Sequence, residues 1–301
     1  MTDPSSKRPD PTFLEIAARH SSQNLVAQTK DNMPAVRAAS RAARVGLVGR
    51  YADQVEISQV GILRHFVPAS VDRSAIFIYV HGGGWVNCDT GTHGGIMTDL
   101  AALTGFEVIG PDYPLAPEDP YPAGLDAIMQ LIDDTLVANP EAKIVVGGDS
   151  AGANLALAAA LRLRDAGRGD VISAMLLWYG CYRRVFDTPS HKSFGGGDHG
   201  LMTEAMERMW DWYLAGHSDP KYGDLTGAKL QDLPPAYLCE AEQDCLASDT
   251  KWLAAELAQA KVPFAYTFSA DVPHGFIHYG QFYAPSLNAL AQAAQFLKGR
   301  I

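Results

Sequence analysis

The chain has 301 residues, 47% hydrophobic and 19% charged, with 24 Lys and Arg against 34 Asp and Glu, a formal net charge of −10. That is a globular composition with ample material for a core, enough for one large α/β domain with an accessory piece. The acidic balance without any Lys/Arg block argues against a nucleic-acid or anionic-membrane partner, and no apolar run reaches the length of a membrane span. The first eleven residues, MTDPSSKRPDP, are polar and read as disordered. No apolar stretch follows them, so a secretory signal is not expected and the cytoplasm is favoured. Residues 12–50 read as helical, with Pro34 interrupting or beginning a helix. In that stretch Arg37, Arg41 and Arg44 fall on one helical face, which reads as a solvated surface.

From Gln54 the apolar period shortens, and Val55, Ile57, Val60 and Ile62 followed by RHFVPA predict two antiparallel strands. Ala75–Val80, AIFIYV, is a continuous apolar run, as for a strand buried on both faces. It enters His81-Gly82-Gly83-Gly84-Trp85. A triple glycine after a buried strand loses backbone entropy on folding and needs a reason. A loop that brings backbone N–H groups against a substrate oxyanion supplies one. His81 is read as structural. The spacing then predicts helix 96–104, strand 107–113, helix 123–136 and strand 143–148. The proline-rich segment 111–120 is read as a rigid loop bracing the glycines.

Gly148-Asp149-Ser150-Ala151-Gly152 lies between an apolar strand and an Ala/Leu-rich helix. A serine there projects from a sharp turn at a helix N-terminus, where N–H groups face developing negative charge. Strand 174–179 follows. Cys181–Pro220 breaks the alternation with a Gly195–Gly197 loop and a helix from Thr203. In that helix Met206, Met209, Trp210 and Tyr213 recur at helical spacing. With Trp85 they are candidates to line an acyl pocket. Strand 236–241, helix 248–259, strand 264–269, loop 270–273 and helix 285–298 complete the chain. The alternation predicts a mostly parallel sheet covered by helices on both faces. The cysteines Cys88, Cys181, Cys239 and Cys245 form no C-x-x-C pair and read as free thiols.

A serine nucleophile needs a base within hydrogen-bond reach and a carboxylate to orient it. Ser150, Asp244 and His274 fill those roles at three strand ends, in the chain order of α/β-hydrolases. Glu242, Asp249 and Asp271 compete for the acid, with Asp249 read as a helix cap. His278, one turn past His274, is expected to point elsewhere. The N–H groups of Gly83, Gly84 and Ala151 are the expected oxyanion donors. No metal or organic cofactor is required. The reaction read from these parts is ester hydrolysis through an acyl-enzyme, on a small-molecule ester. A lactone, amide or N-formyl substrate uses the same groups. A binding protein on this fold has no need of the full set.

The set HGGGW (81–85), DYPLAPEDPYPAGLDA (112–127), GDSAG (148–152), EQDCL (242–246) and HGF (274–276) resembles the bacterial hormone-sensitive-lipase family of esterases, in order and approximate spacing from about residue 55 onward. The resemblance implies an α/β-hydrolase fold with a helical cap, built from residues 1–54 and the insertion 181–220, over a core formed by 55–180 and 221–301. It also implies short- to medium-chain acyl esters as substrates, and a homodimer. One departure stands out. The family commonly has Asp-Pro-Leu at the acid, and here it is Asp244-Cys245-Leu246. The missing proline predicts a looser loop, and Cys245 beside the acid predicts thiol sensitivity.

Overall fold

The computed structural model describes residues 8–20, 28–217 and 221–301. Parts of the predicted N-terminal disorder, of the 12–50 helical stretch and of the 181–220 insertion lie outside the described residues. Among the described residues, eight strands form one sheet in the order β1-β2-β4-β3-β5-β6-β7-β8. They are β1 (Val55–Val60), β2 (Leu63–Pro68), β3 (Ala75–Val80), β4 (Glu107–Pro111), β5 (Lys143–Asp149), β6 (Ile172–Trp178), β7 (Ala236–Gln243) and β8 (Phe264–Pro273). β2 runs antiparallel to β1 and β4; all other pairs are parallel. The helices are α1 (Pro11–His20), α2 (Met33–Arg44), α3 (Gly94–Thr104), α4 (Ala123–Ala138), α5 (Ala151–Asp165), α6 (Pro189–Phe194), α7 (Thr203–Leu214), α8 (Ala247–Gln259) and α9 (Ala284–Leu297).

The apolar runs explain the layering. Every residue of β3 is buried, and the two-residue period of a strand sends alternate side chains to opposite faces. Ile76, Ile78 and Val80 enter the core that also holds Ile128 of α4 and Leu155 of α5. Ala75, Phe77 and Tyr79 enter the opposite core, with Leu100 of α3 and Leu290 of α9. Helices on both faces then bury the sheet, each fully buried aliphatic side chain contributing about 1.5–3 kcal/mol. The parallel strands point their C-terminal ends to one edge, where open α/β sheets place their sites.

Several sequence expectations change. Order begins before residue 11: the Asp10 N–H donates to the Asp271 carbonyl (3.0 Å) and the Tyr283 hydroxyl to Asp10 Oδ2 (2.8 Å). β8 runs through 270–273 instead of stopping at Ser269. Pro34 lies in the first turn of α2 and starts it. The arginine face of α2 is not a free solvated surface. Arg37 Nη1 and Nη2 donate to the two Glu118 oxygens (2.9 and 2.7 Å), and Arg41 pairs with Asp89 at 2.5 Å. Asp249 does not cap its own helix. Its carboxylate receives the Tyr182 N–H (3.1 Å) and Arg183 Nε (2.8 Å), tying the 181–183 segment to α8.

Candidate active site

Ser150 sits between β5 and α5 with φ 54° and ψ −121°. A non-glycine residue held there stores roughly 1–3 kcal/mol of strain, and the neighbours must enforce it. Gly148 and Gly152 let that happen. A Cβ on either would stand 2.1 or 1.9 Å from the Val80 carbonyl oxygen, so strand, turn and helix meet only because both lack one. The turn thrusts the hydroxyl toward the loop after β8. The Ser150 hydroxyl donates to His274 Nε2 (3.0 Å), and His274 Nδ1 donates to Asp244 Oδ2 (2.6 Å). Asp244 is 1% exposed. Its other oxygen accepts the Leu246 N–H at 2.9 Å. The structure thus brings the three sequence candidates into one hydrogen-bonded chain. It leaves the competitors outside it: Glu242 accepts the Asp271 N–H (2.8 Å), and Asp249 is engaged as above.

The loop that holds Asp244 is braced without the proline. Ser190 of α6 donates its hydroxyl to the Cys245 carbonyl (2.6 Å) and accepts the Ser248 N–H (3.0 Å). Cys245 is buried, and burial, followed by the charge of Asp244, pushes its thiol well up. A protonated, enclosed thiol is a poor nucleophile.

The glycine loop faces Ser150. Gly83 (φ +115°) and Gly84 (φ +61°) adopt backbone angles that favour glycine. The Gly83 carbonyl accepts the Val86 and Asn87 N–H groups (3.2 and 3.0 Å), closing a tight turn. Ala151 opens α5, so its N–H has no helical acceptor. Tyr113 stacks on His81 with ring centroids 4.2 Å apart and donates to the His81 carbonyl (2.9 Å); the Ala116 N–H donates to the Trp85 carbonyl (2.9 Å). The proline-rich segment therefore braces the glycine loop. His81 bonds through Nδ1 to the Gly82 carbonyl (2.8 Å). Burial, with the neighbouring His93, lowers it to about 4, so it is neutral at physiological pH.

Beneath the loop lies a buried polar network that the sequence did not announce. Asp149 Oδ1 accepts the Tyr79 hydroxyl (2.7 Å) and the Gly82 N–H (3.0 Å), with His93 Nε2 at 3.3 Å. Burial alone raises a carboxyl; here its neighbours, His93 first among them, together outweigh that and hold Asp149 below the ordinary range. His278 lines the same cleft as Ser150 and packs on His93, ring centroids 4.5 Å apart. His93, Asp149 and His278 place potential ligand atoms within 4.8 Å of one another. With Oδ1 already shared by three donors, we read the group as a brace linking nucleophile and glycine loop.

A cleft of about 680 Å³ opens over Ser150 and His274. Gly83, Gly84, Met206 and Met209 line it, joined by Phe13, Leu14 and Ala17 of α1, Ser40 and Arg44 of α2, and the 197–202 loop. Trp85, Trp210 and Tyr213 do not line it. They form an aromatic stack behind the glycine loop, with Trp85 parallel to Tyr213 at 4.3 Å and 4.4 Å from Trp210. The helical spacing that suggested pocket lining reports core packing for Trp210 and Tyr213 and cleft lining only for the two methionines.

The chain is also similar to known proteins. Residues 77–278 match the family model described as the alpha/beta hydrolase fold. The chain is 37% identical over 238 residues to an acetyl esterase of Salmonella schwarzengrund, covering 75% of this chain and 73% of that one. It is 35% identical over 249 residues to an acetyl esterase of Salmonella paratyphi B, covering 79% and 76%. Among solved structures, an esterase of the bacterial hormone-sensitive-lipase family superposes with a TM-score of 0.87 at 23% identity, over 97% of this chain and 99% of that one. A thermostable esterase from Pseudomonas putida superposes with a TM-score of 0.83 at 25% identity, over 97% and 98%. The chain belongs to the α/β-hydrolase family. It is a carboxylic ester hydrolase.

Proposed function

We propose that the protein hydrolyses short- to medium-chain acyl esters with Ser150 as nucleophile, His274 as base and Asp244 as orienting acid. The observation that carries this reading is the chain from Ser150 through His274 to Asp244 at 3.0 and 2.6 Å, opening on a cleft walled by glycines. His274 takes the Ser150 proton as the oxygen attacks the ester carbonyl. The N–H groups of Gly83, Gly84 and Ala151 hold the oxyanion, each such donor being worth about 3–4 kcal/mol. Asp244 fixes the His274 tautomer and stabilises the imidazolium. His274 then protonates the leaving alcohol, and a water it activates releases the acid.

Residues 1–54 and 181–220 act as the cap that limits acyl length. The lining contributions of Phe13, Leu14, Met206 and Met209 support this. Met209 sets the near wall: its Sδ stands 2.1 Å from where a Cβ on Gly84 would be. Turnover should peak between acetyl and roughly octanoyl esters, each buried CH₂ contributing ~0.8 kcal/mol until the cleft is full. The names of the Salmonella relatives favour the acetyl end. A cytoplasmic location fits the four buried, free cysteines. A homodimer is part of the proposal, because β8 is an edge strand exposing Tyr266 and Phe268. No helix among the described residues is long and apolar enough to cross a membrane.

The test is a p-nitrophenyl ester series from acetate to palmitate, with a phosphonate probe mapped by mass spectrometry. Label on Ser150 and a short-chain optimum are expected. Label elsewhere, or an undiminished rate on palmitate, would overturn the reading.

A further inference from the structure

The three arginines of α2 share a face but not a fate. Arg37 is neutralised by Glu118 and Arg41 by Asp89. Arg44, one turn further on, lines the cleft that holds Ser150. No carboxylate among the described residues pairs with it. Its Nη1 reaches only the Cys88 sulfur, at 3.8 Å, a weak acceptor. Its Nε is buried and has no hydrogen-bond acceptor. The guanidinium acts inward. Burial lowers His278, and the charges of His93 and Arg44 add to that.

The acids of the cleft lining do not answer this charge. Asp149 is occupied by Tyr79, Gly82 and His93, and Asp198 lies 3.5 Å from Arg8. Arg44 is the one Lys or Arg lining the cleft among the described residues. A buried N–H without an acceptor is destabilising, and a guanidinium fork is matched best by a carboxylate.

We propose that Arg44 reads a carboxylate on the substrate, so that the preferred esters carry an ionised acid group beside the scissile bond. The inference rests on the esterase reading above. The acid group belongs either to the acyl part, as in a dicarboxylic hemiester, or to the alcohol part, as in an acylated hydroxy acid.

Two matched pairs separate these sources. p-Nitrophenyl hemisuccinate against p-nitrophenyl pentanoate places the charge on the acyl side. 4-Acetoxybenzoate against phenyl acetate places it on the alcohol side. The readout is the kcat/KM ratio of charged to neutral ester in each pair. Arg44→Gln should lower that ratio by about tenfold or more in one pair, the effect of losing a charge-assisted hydrogen bond, and Arg44→Lys should restore part of it. Arg41→Gln, on the same helix but outside the cleft, should leave the ratio as it was. A ratio unmoved by Arg44→Gln in both pairs, or moved equally by Arg41→Gln, overturns the inference while turnover of the neutral esters upholds the esterase reading. Failure of the wild type on all four esters overturns both. Should Arg44→Gln not fold, the wild-type ratio in the selected pair is followed against ionic strength. It should fall as salt screens the pair, and a flat ratio overturns the proposal.

Discussion

The two sides of the cleft are built on different principles. The floor is backbone: the Ser150 turn at φ 54°, Gly83 and Gly84 at φ +115° and +61°, and the first N–H of α5. The roof is side chain: Phe13 and Leu14 from α1, Arg44 from α2, Met206 and Met209 from α7. Chemistry depends on atoms that hold one position, and a backbone locked by close packing supplies them. Selection of a substrate depends on shape and charge, and side chains reaching in from other segments set those. Damage to the floor should therefore lower turnover of every ester, whereas changes in the roof should alter which ester is preferred.

The largest effect tests the floor at its centre. Ser150→Ala removes one oxygen and should reduce kcat by about 10⁴-fold or more, leaving the residual catalysis that oxyanion donors and binding provide. Circular dichroism should be unchanged, since the strained turn is enforced by its neighbours. A variant retaining a tenth of wild-type kcat would mean that the hydroxyl is not the nucleophile.

Gly83→Ala comes next. The new Cβ would lie 2.1 Å from the Asn87 carbonyl oxygen, in a backbone conformation that L residues rarely adopt. The loop must move, and its donors with it, so kcat should fall by about 10²–10³-fold while KM for a neutral ester changes little. Single-turnover kinetics on p-nitrophenyl acetate would separate the two. A fall in KM-determined binding alone would place the glycines in substrate docking instead.

These features of the floor were legible in the sequence because they obey local rules. A buried strand entering three glycines, and a serine flanked by glycines between strand and helix, announce their backbone geometry within a few residues. The order Ser150, Asp244, His274 at strand ends was legible for the same reason. The roof was not. Arg37, Arg41 and Arg44 have the spacing of a solvated helical face; Arg41 does stay largely exposed, and only partners 44 to 81 residues away draw Arg44 and Arg37 toward the protein. Met209 and Trp210 are adjacent on one helix, yet one lines the cleft and the other stacks on Trp85. Helical periodicity says that both are buried and not against what. The missing proline after Asp244 looked like a loss of rigidity until Ser190, from α6, was seen to bond the Cys245 carbonyl.

Arg37 joins roof to floor, and its effect should be intermediate. Its Nε donates to the Val86 carbonyl (2.8 Å) and its Nη2 to the Ala116 carbonyl (3.0 Å), while Glu118 takes the rest of the fork. The guanidinium thus ties α2 to the glycine loop and to the segment that braces it. Arg37→Met keeps most of the stem and leaves two carbonyls without their donor, which should destabilise the fold by about 1–3 kcal/mol. Urea unfolding measures that. A several-fold drop in kcat should accompany it, because the loop carrying Gly83 and Gly84 loses an anchor. An Arg37→Met variant as stable as Glu118→Gln would show that only the exposed ion pair matters.

The smallest effect concerns the network beneath the floor and is read as a slope. Burial, then the charges of His93 and Arg44, lowers His278 well below its ordinary value, so the folded protein holds it neutral. In the unfolded chain it titrates near ~6.5. As pH falls below that value the unfolded chain binds a proton that the folded protein refuses. Stability contributed by the neutral ring is therefore present above ~6.5 and lost on acidification, by about 1.4 kcal/mol per pH unit. His81, lowered to about 4 by burial and by His93, acts with the same sign over part of the window. Asp99 and Asp249 act with the opposite sign, since burial raises each to about 6 and the fold keeps a proton that the unfolded chain releases. These terms persist when only His278 is changed. The difference in urea stability between wild type and His278→Gln, followed from pH 7 down to 5, should therefore shrink as the pH falls, with the variant the less acid-sensitive of the two. Parallel pH profiles would mean that His278 takes up its proton inside the fold.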